Sequence, residues 1–229
     1  MGRLLASGCL AYAMTLQTKP YNPPPARALT TLHVDDHIVV CDKPSGLLSV
    51  PGRGPEKAVC ASSLLAERHG PVLIVHRLDM DTSGCMVVAR SLEAQRQLSR
   101  QFEKRRVDKT YHALVEGELH PDAGTVDAAI AKFSKQRPLR HLDPDGREAI
   151  TDWRVIERTN YTTRVELTPK TGRSHQLRLH MKSLGHPILG DVFYGDPRSH
   201  ERLCLHATVL SFDHPATDEK LMLSAPVPF

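Results

Sequence analysis

The sequence predicts an α+β fold: a mixed, largely antiparallel sheet with flanking helices. Three observations carry this. Short β-branched runs bounded by Pro, Gly or charged residues recur along the chain. Only two amphipathic helices are readable. Strands and helices do not alternate strictly, which excludes a doubly wound fold.

Taken in order, residues 20–26 (PYNPPPA) form a Pro-rich arm that cannot be helix. Ahead of it, Leu4 to Ala13 follows Arg3 and ends in Ala11-Tyr12-Ala13, on paper a minimal secretory signal. Ser7, Gly8 and Cys9 interrupt the run and its basic region is a single arginine, so a disordered leader, or a start at Met14, is the better reading. Beyond the arm there is no Gly/Ser linker, composition break or internal repeat. Residues 1–26 are therefore read as a disordered or extended leader and residues 27–229 as one domain.

Strands are expected at His37–Cys41, Val72–Val75, Cys85–Ala89 and Tyr111–Val115. Thr163–Leu167 alternates polar and apolar residues, the signature of a strand with one wet face. Ser91 caps a first helix whose apolar face is Ala94, Leu98 and Phe102 and whose end is Lys104-Arg105-Arg106. A second helix begins near Ser174, carries Leu177, Met181 and Leu184, and stops at Gly185 and Pro187.

At 229 residues and 40% apolar composition the chain builds a real core, and no run approaches the ~20 apolar residues of a membrane span. The five cysteines form no close pair, which argues against a disulfide framework or zinc knuckle and for a reducing, cytoplasmic setting. His175 and His180 are spaced i and i+5, on different faces of a helix, so the thirteen histidines read as polar surface groups and no metal is expected. With one Trp, five Tyr and five Phe, a multi-aromatic stacking platform is disfavoured.

The formal charge is only +4, but it is unevenly spread. Residues 96–109 hold six basic against two acidic groups, residues 132–147 five against two, and residues 168–182 four against none. These windows carry +11 together and leave −7 for the rest of the chain. Any one of them reads as a solvated face; three in an acidic background favour a polyanionic partner.

The most informative segment is Val75–Gly84, VHRLDMDTSG, lying between two expected strands where reacting groups commonly sit. Gly84 is free to take a positive φ and turn the chain into the next strand. Asp79 and Asp81, two residues apart beside Arg77, allow three readings. They are a glycosidase-like pair, one nucleophilic or basic carboxylate with a structural neighbour, or a polar turn.

HRLDMDTSG resembles the HRLDxxTSG motif of the RluA family of pseudouridine synthases. Lys109-Thr110-Tyr111 is similar to that family's KxY motif, and Thr171–Asp191 (TGRSHQLRLHMKSLGHPILGD) to its third motif. DKPSGLLSVPGR, Asp42 to Arg53, matches as well, and the blocks follow in family order. The resemblance implies the pseudouridine synthase fold with a central active-site cleft, and isomerisation of uridine in RNA with no cofactor or metal. Asp79 maps onto the essential aspartate, as nucleophile or as base at the ribose. Arg173 maps onto its basic partner, keeping the carboxylate ionised. Tyr111 maps onto the tyrosine against the uracil, which needs local activation to accept the C5 proton. Arg77 maps onto the arginine that displaces the flipped base.

His76, Lys170, His175 and Arg178 complete the implied substrate-binding set. Arg173 and Arg178 sit at the start of the second helix as phosphate contacts, while Lys170, His175 and Gln176 also read as shaping that loop. About 30 residues precede the resemblance, too few for the S4 RNA-binding domain of many relatives. Within the family, the short length and YNPPP resemble the member acting on both a tRNA anticodon stem-loop and a large-subunit rRNA hairpin. The chain is expected to act as a monomer. A non-catalytic RNA-binding module would share the basic windows but would not need Asp79, Tyr111 and Arg173 together.

Overall fold

The structure is a computed structural model and describes residues 20–133 and 138–229. In chain order it forms β1 (Thr30–Val34), β2 (Ile38–Lys43), α1 (Ala61–His69), β3 (Leu73–Ile74), β4 (Ser83–Ala89), α2 (Leu92–Glu103) and β5 (Asp108–Glu116). Next come β6 (Ala123–Asp127), β7 (Ile130–Lys132), β8 (Arg140–Leu142), β9 (Ile150–Arg158), β10 (Thr162–Pro169) and α3 (Gln176–Ser183). β11 (Leu205–Asp213) and β12 (Lys220–Ser224) end the chain. Of the expected leader, residues 1–19 lie outside the described residues. Its Pro-rich end is extended to Pro25 and anchored: the Tyr21 hydroxyl donates to the Val59 carbonyl and accepts from the Leu48 amide.

The chain folds into two compact units, one of Tyr21–Tyr111 with His206–Phe229, the other of His112–Leu205. In the first, β2 lies between β1 and β4, all antiparallel, and β3 also pairs with β4. β11 runs parallel to β4 through His206↔Ser83 and Ala207↔Gly84, and β12 is antiparallel to β11. One parallel pair in an otherwise antiparallel set is the mixed sheet expected. Ile38–Cys41 of β2 and Cys85–Ala89 of β4 are apolar without a break because both faces are covered. Val39, Cys41, Met86 and Val88 pack with Leu64 and Leu65 of α1. Ile38, Val40, Cys85 and Val87 pack with Ala94, Leu98 and Phe102 of α2. The two-residue period of a strand sorts neighbours onto opposite faces.

α2 begins and ends as its sequence predicts, with the Ser91 hydroxyl accepting from the Ala94 amide at 3.1 Å. α1 is the helix that pattern reading misses. It carries few apolar residues, and its cap is a cysteine: the Cys60 sulfur accepts from the Ser63 amide while the Ser63 hydroxyl accepts from the Cys60 amide. This is a capping box built from an unusual residue.

In the second unit β9 pairs antiparallel with β10 and with β6, and β7 with β8. Thr163, Val165 and Leu167 are buried and their neighbours partly exposed, as the alternation requires. α3 departs from expectation. It starts at Gln176 rather than near Ser174, after His175 in a left-handed conformation (φ 60°), and Gln176 to Met181 are all buried rather than forming one apolar stripe. The expectation of surface histidines fails at four positions: His175, His180, His206 and His214 are buried, each with hydrogen-bond partners. Among the described residues the cysteines are free and buried, no His/Cys/Asp/Glu group could hold a metal ion, and no helix is long and apolar enough to cross a membrane.

Candidate active site

Asp79 sits on the loop of residues 75–82, between β3 and β4. A loop holds a carboxylate in place only if its backbone groups are tied down. Here the ties come from the Asp42–Arg53 block. The Lys43 ammonium, fully buried, donates to the carbonyls of Pro44 (2.9 Å), Leu47 (2.7 Å) and Met80 (2.9 Å). The Gly46 amide also donates to the Met80 carbonyl. The Ser45 hydroxyl donates to the Asp81 carbonyl at 2.7 Å. The Ser49 hydroxyl donates to the Leu78 carbonyl and accepts from its amide. Asp79 is thus flanked on both sides by pinned peptide groups.

The loop leaves through a close approach. Gly84 has φ 110°, and a Cβ there would lie 2.2 Å from the Ala207 carbonyl oxygen, so the turn into β4 excludes every side chain. Beside it the Ser83 hydroxyl and His206 Nδ1 are 2.8 Å apart. His206 Nε2 lies 3.3 Å from the Ala225 carbonyl.

Tyr111, on β5, is partly buried against the cluster containing Leu78, Met86 and Ala207. Burial raises its phenol pKa above the ordinary value of 10.0, and the charge of Asp79, then of Cys85, raises it further. The ring is therefore a neutral phenol beside a carboxylate. The local activation expected of a proton acceptor is the reverse of what this surrounding supplies. Arg77 is exposed on the loop. His76 is turned inward: its Nε2 accepts from the Val87 amide at 3.0 Å and its ring stacks on Phe102 at 4.5 Å. Burial, then the charge of Lys109, pushes it down to about 3, so it is a neutral acceptor.

Arg173, Lys170, His175 and Arg178 belong to the second unit. One side chain organises their loop. Gln176 Oε1 accepts from the Thr171 hydroxyl (2.7 Å) and the Arg173 amide (3.0 Å), while its Nε2 donates to the Ile150 carbonyl and the Thr151 hydroxyl. Arg173 Nε donates to the Glu148 carbonyl at 2.8 Å. The Lys170 ammonium pairs with Asp152 at 2.9 Å on the surface. His175 Nδ1 lies 2.7 Å from the Tyr194 hydroxyl.

Arg178, expected to meet phosphate, is 2% exposed and makes a two-pronged ion pair with Asp191, Nε–Oδ2 2.8 Å and Nη2–Oδ1 2.6 Å. Its guanidinium also lies over Phe193 at 5.0 Å and Tyr194 at 5.3 Å. Burial works to raise the Asp191 pKa, but Arg178 and the amides of Phe193 and Tyr194 outweigh it and hold the carboxyl below its ordinary value. Gln176 shapes the loop as its motif position suggests. Reading the motifs for reacting groups passes over Lys43, Ser49 and Asp191, which all lie inside the quoted blocks, but nothing in a block distinguishes a residue that reacts from one that holds.

A carboxylate on a pinned loop with a neutral tyrosine against it suits chemistry on a bound base; in its own unit, Arg173 lies on an ordered loop. The family model for RNA pseudouridylate synthase matches residues 37–183, and the chain belongs to that family. It is 50% identical over 214 residues to the "Dual-specificity RNA pseudouridine synthase RluA" of Pasteurella multocida, covering 91% of this chain and 98% of that protein. The protein of the same name from Escherichia coli K12 is 45% identical, with the same coverage. Among solved structures, Human RNA Pseudouridylate Synthase Domain Containing 1 superposes with a TM-score of 0.76 at 29% identity, covering 91% of this chain and 87% of that one.

Proposed function

We propose that this chain converts uridine to pseudouridine in both a tRNA anticodon stem-loop and a large-subunit rRNA hairpin, with Asp79 as the catalytic carboxylate. The observation that carries the assignment to Asp79 is its pinned loop: the backbones of Leu78, Met80 and Asp81 are hydrogen-bonded on either side of the aspartate, which holds its position in the chain fixed. In the reaction the N1–C1′ bond breaks, the uracil turns, and a C5–C1′ bond forms. N1 gains a proton and the C5 hydrogen leaves to solvent. Reactant and product are isomers, so the balance calls for no oxidant, reductant or other group.

Tyr111 lies against the uracil. By its place in the third motif Arg173 is the basic partner that the family pairs with its catalytic aspartate, and Arg77 and Lys170 contact the RNA. His76, His175 and Arg178 are positioning residues in this reading, because each is committed to partners inside its own unit. Residues 27–229 act as one catalytic domain, monomeric and cytoplasmic. Identity of about half with proteins named for dual specificity supports the two-target reading.

The test is tritium release from hairpins labelled at uridine C5. Wild type releases tritium from both hairpins, and Asp79→Asn is slower by about 10³-fold or more while melting normally. Release from cellular RNA but not from the two hairpins sinks the target assignment alone. Free uracil in the products identifies a hydrolase instead.

A further inference from the structure

The inner face of α2 (Ala94, Leu98, Phe102) is packed in the core. Its outer face carries Arg96, Arg100 and Lys104, all exposed, and continues into exposed Arg105 and Arg106. Four-residue steps keep the first three on one side, about 6 Å apart along the axis, a spacing comparable to that of successive phosphates. Glu93 and Glu103 lie on the same side, yet Arg96, Arg100, Lys104 and Arg106 have no carboxylate partner among the described residues. The helix dipole accounts for cations in the last turn only, and Arg96 lies in the N-terminal half, where the dipole opposes it.

Two further features mark this edge as more than a solvated face. Arg105 follows the helix in the left-handed region, φ 58°, where glycine or asparagine is the ordinary choice. Its charge, after burial, also lowers the pKa of Lys109, so cations are held against one another. Bound phosphate relieves that repulsion.

The helix is also coupled to the catalytic loop. Gln95 Nε2 donates to the Ile74 carbonyl, one residue before the loop begins. Gln101 exchanges hydrogen bonds with the backbone of Asp213 at 2.7 and 2.9 Å. Phe102 stacks on His76, the neighbour of Arg77. From Arg106 to Tyr111 is five residues, at most about 17 Å of extended chain.

We propose that the outer face of α2, with the Lys104–Arg106 turn, is a docking surface for the phosphodiester backbone of the stem that presents the target uridine. This rests on the RNA reading above and adds where the stem lies. The face reads charge, not sequence, so it serves two different hairpins equally.

The experiment measures hairpin affinity against salt concentration, using Asp79→Asn protein so that turnover does not intrude, with and without Arg96→Gln, Arg100→Gln and Lys104→Gln together. The expected result is binding weaker by about 10- to 100-fold and a log–log salt slope shallower by about 2 to 3. In the catalytically intact protein, KM rises by the same factor and kcat falls less than twofold. Arg96→Lys with Arg100→Lys, Lys104 being kept, preserves the slope, which separates charge from helix structure. Arg27→Gln, exposed elsewhere, changes neither. Unaltered affinity and slope in the triple variant overturn the proposal and leave the face to an acidic protein partner. Absent tritium release from wild type would instead defeat the synthase reading, whatever the triple variant does to binding.

Discussion

The loop that carries Asp79 and the loop that carries Arg173 are both irregular segments, but they are held in opposite ways. Residues 78–81 are held through their peptide groups, by Lys43, Ser45, Gly46 and Ser49 from a segment some thirty positions earlier. Residues 171–176 are held by side chains of their own neighbourhood: Gln176, and behind it the Arg178–Asp191 pair with Tyr194. A loop tied by its backbone keeps its shape whatever side chains it displays, so its reacting group is free to be chosen for chemistry. A loop tied by a buried ion pair depends on both charges being present. Removing one strands the other in a low-dielectric interior.

Breaking the second kind of support carries the larger penalty. Asp191→Asn leaves Arg178 buried without its counter-ion and is expected to cost about 3–5 kcal/mol. Urea denaturation checks this, and an accompanying Arg178→Met should recover much of the loss. A result below 1 kcal/mol would mean the pair is not the brace described.

Lys43→Met tests the other loop. It strips three carbonyls of a common donor, for an expected loss of about 2–3 kcal/mol. Because the Met80 carbonyl is one of them, kcat should fall at temperatures where the protein is still fully folded. Stability loss with kcat intact would show that Lys43 supports the fold but not Asp79.

The smallest effect separates the two by pH. His76 is neutral when folded, its pKa lowered from 6.5 to about 3 by burial and by Lys109. The unfolded chain therefore binds a proton that the folded one refuses. Its contribution is complete above pH 6.5 and drains away as the pH falls below that value, by about 1 kcal/mol over the first unit. The urea midpoint of wild type should drop between pH 7 and about 5.5, and His76→Gln should flatten that slope.

Much of this was legible in the residues. The runs Ile38–Cys41 and Cys85–Ala89 announce strands because β-branched side chains suit a pleated surface, and Ser91 announces a helix start because its hydroxyl accepts an orphan amide. α1 was hidden because a thiol does the work of that hydroxyl. Arg178 read as a phosphate contact because spacing places a charge on a helix but does not say which way the helix is buried. Tyr111 was read as needing activation, and its surroundings raise its pKa instead.

By itself the sequence determined the class of fold, the family and the loop on which chemistry falls, because each depends on local patterns: period-two apolar runs, a cap, and a motif nine residues long. Only the tertiary structure decided which charges act and which hold. Lys43 and Arg178 are indistinguishable in the chain from Arg96 and Arg100, and differ only in being enclosed. Enclosure comes from segments tens of residues apart, and it converts a cation from a group that meets RNA into one that must be satisfied inside the protein.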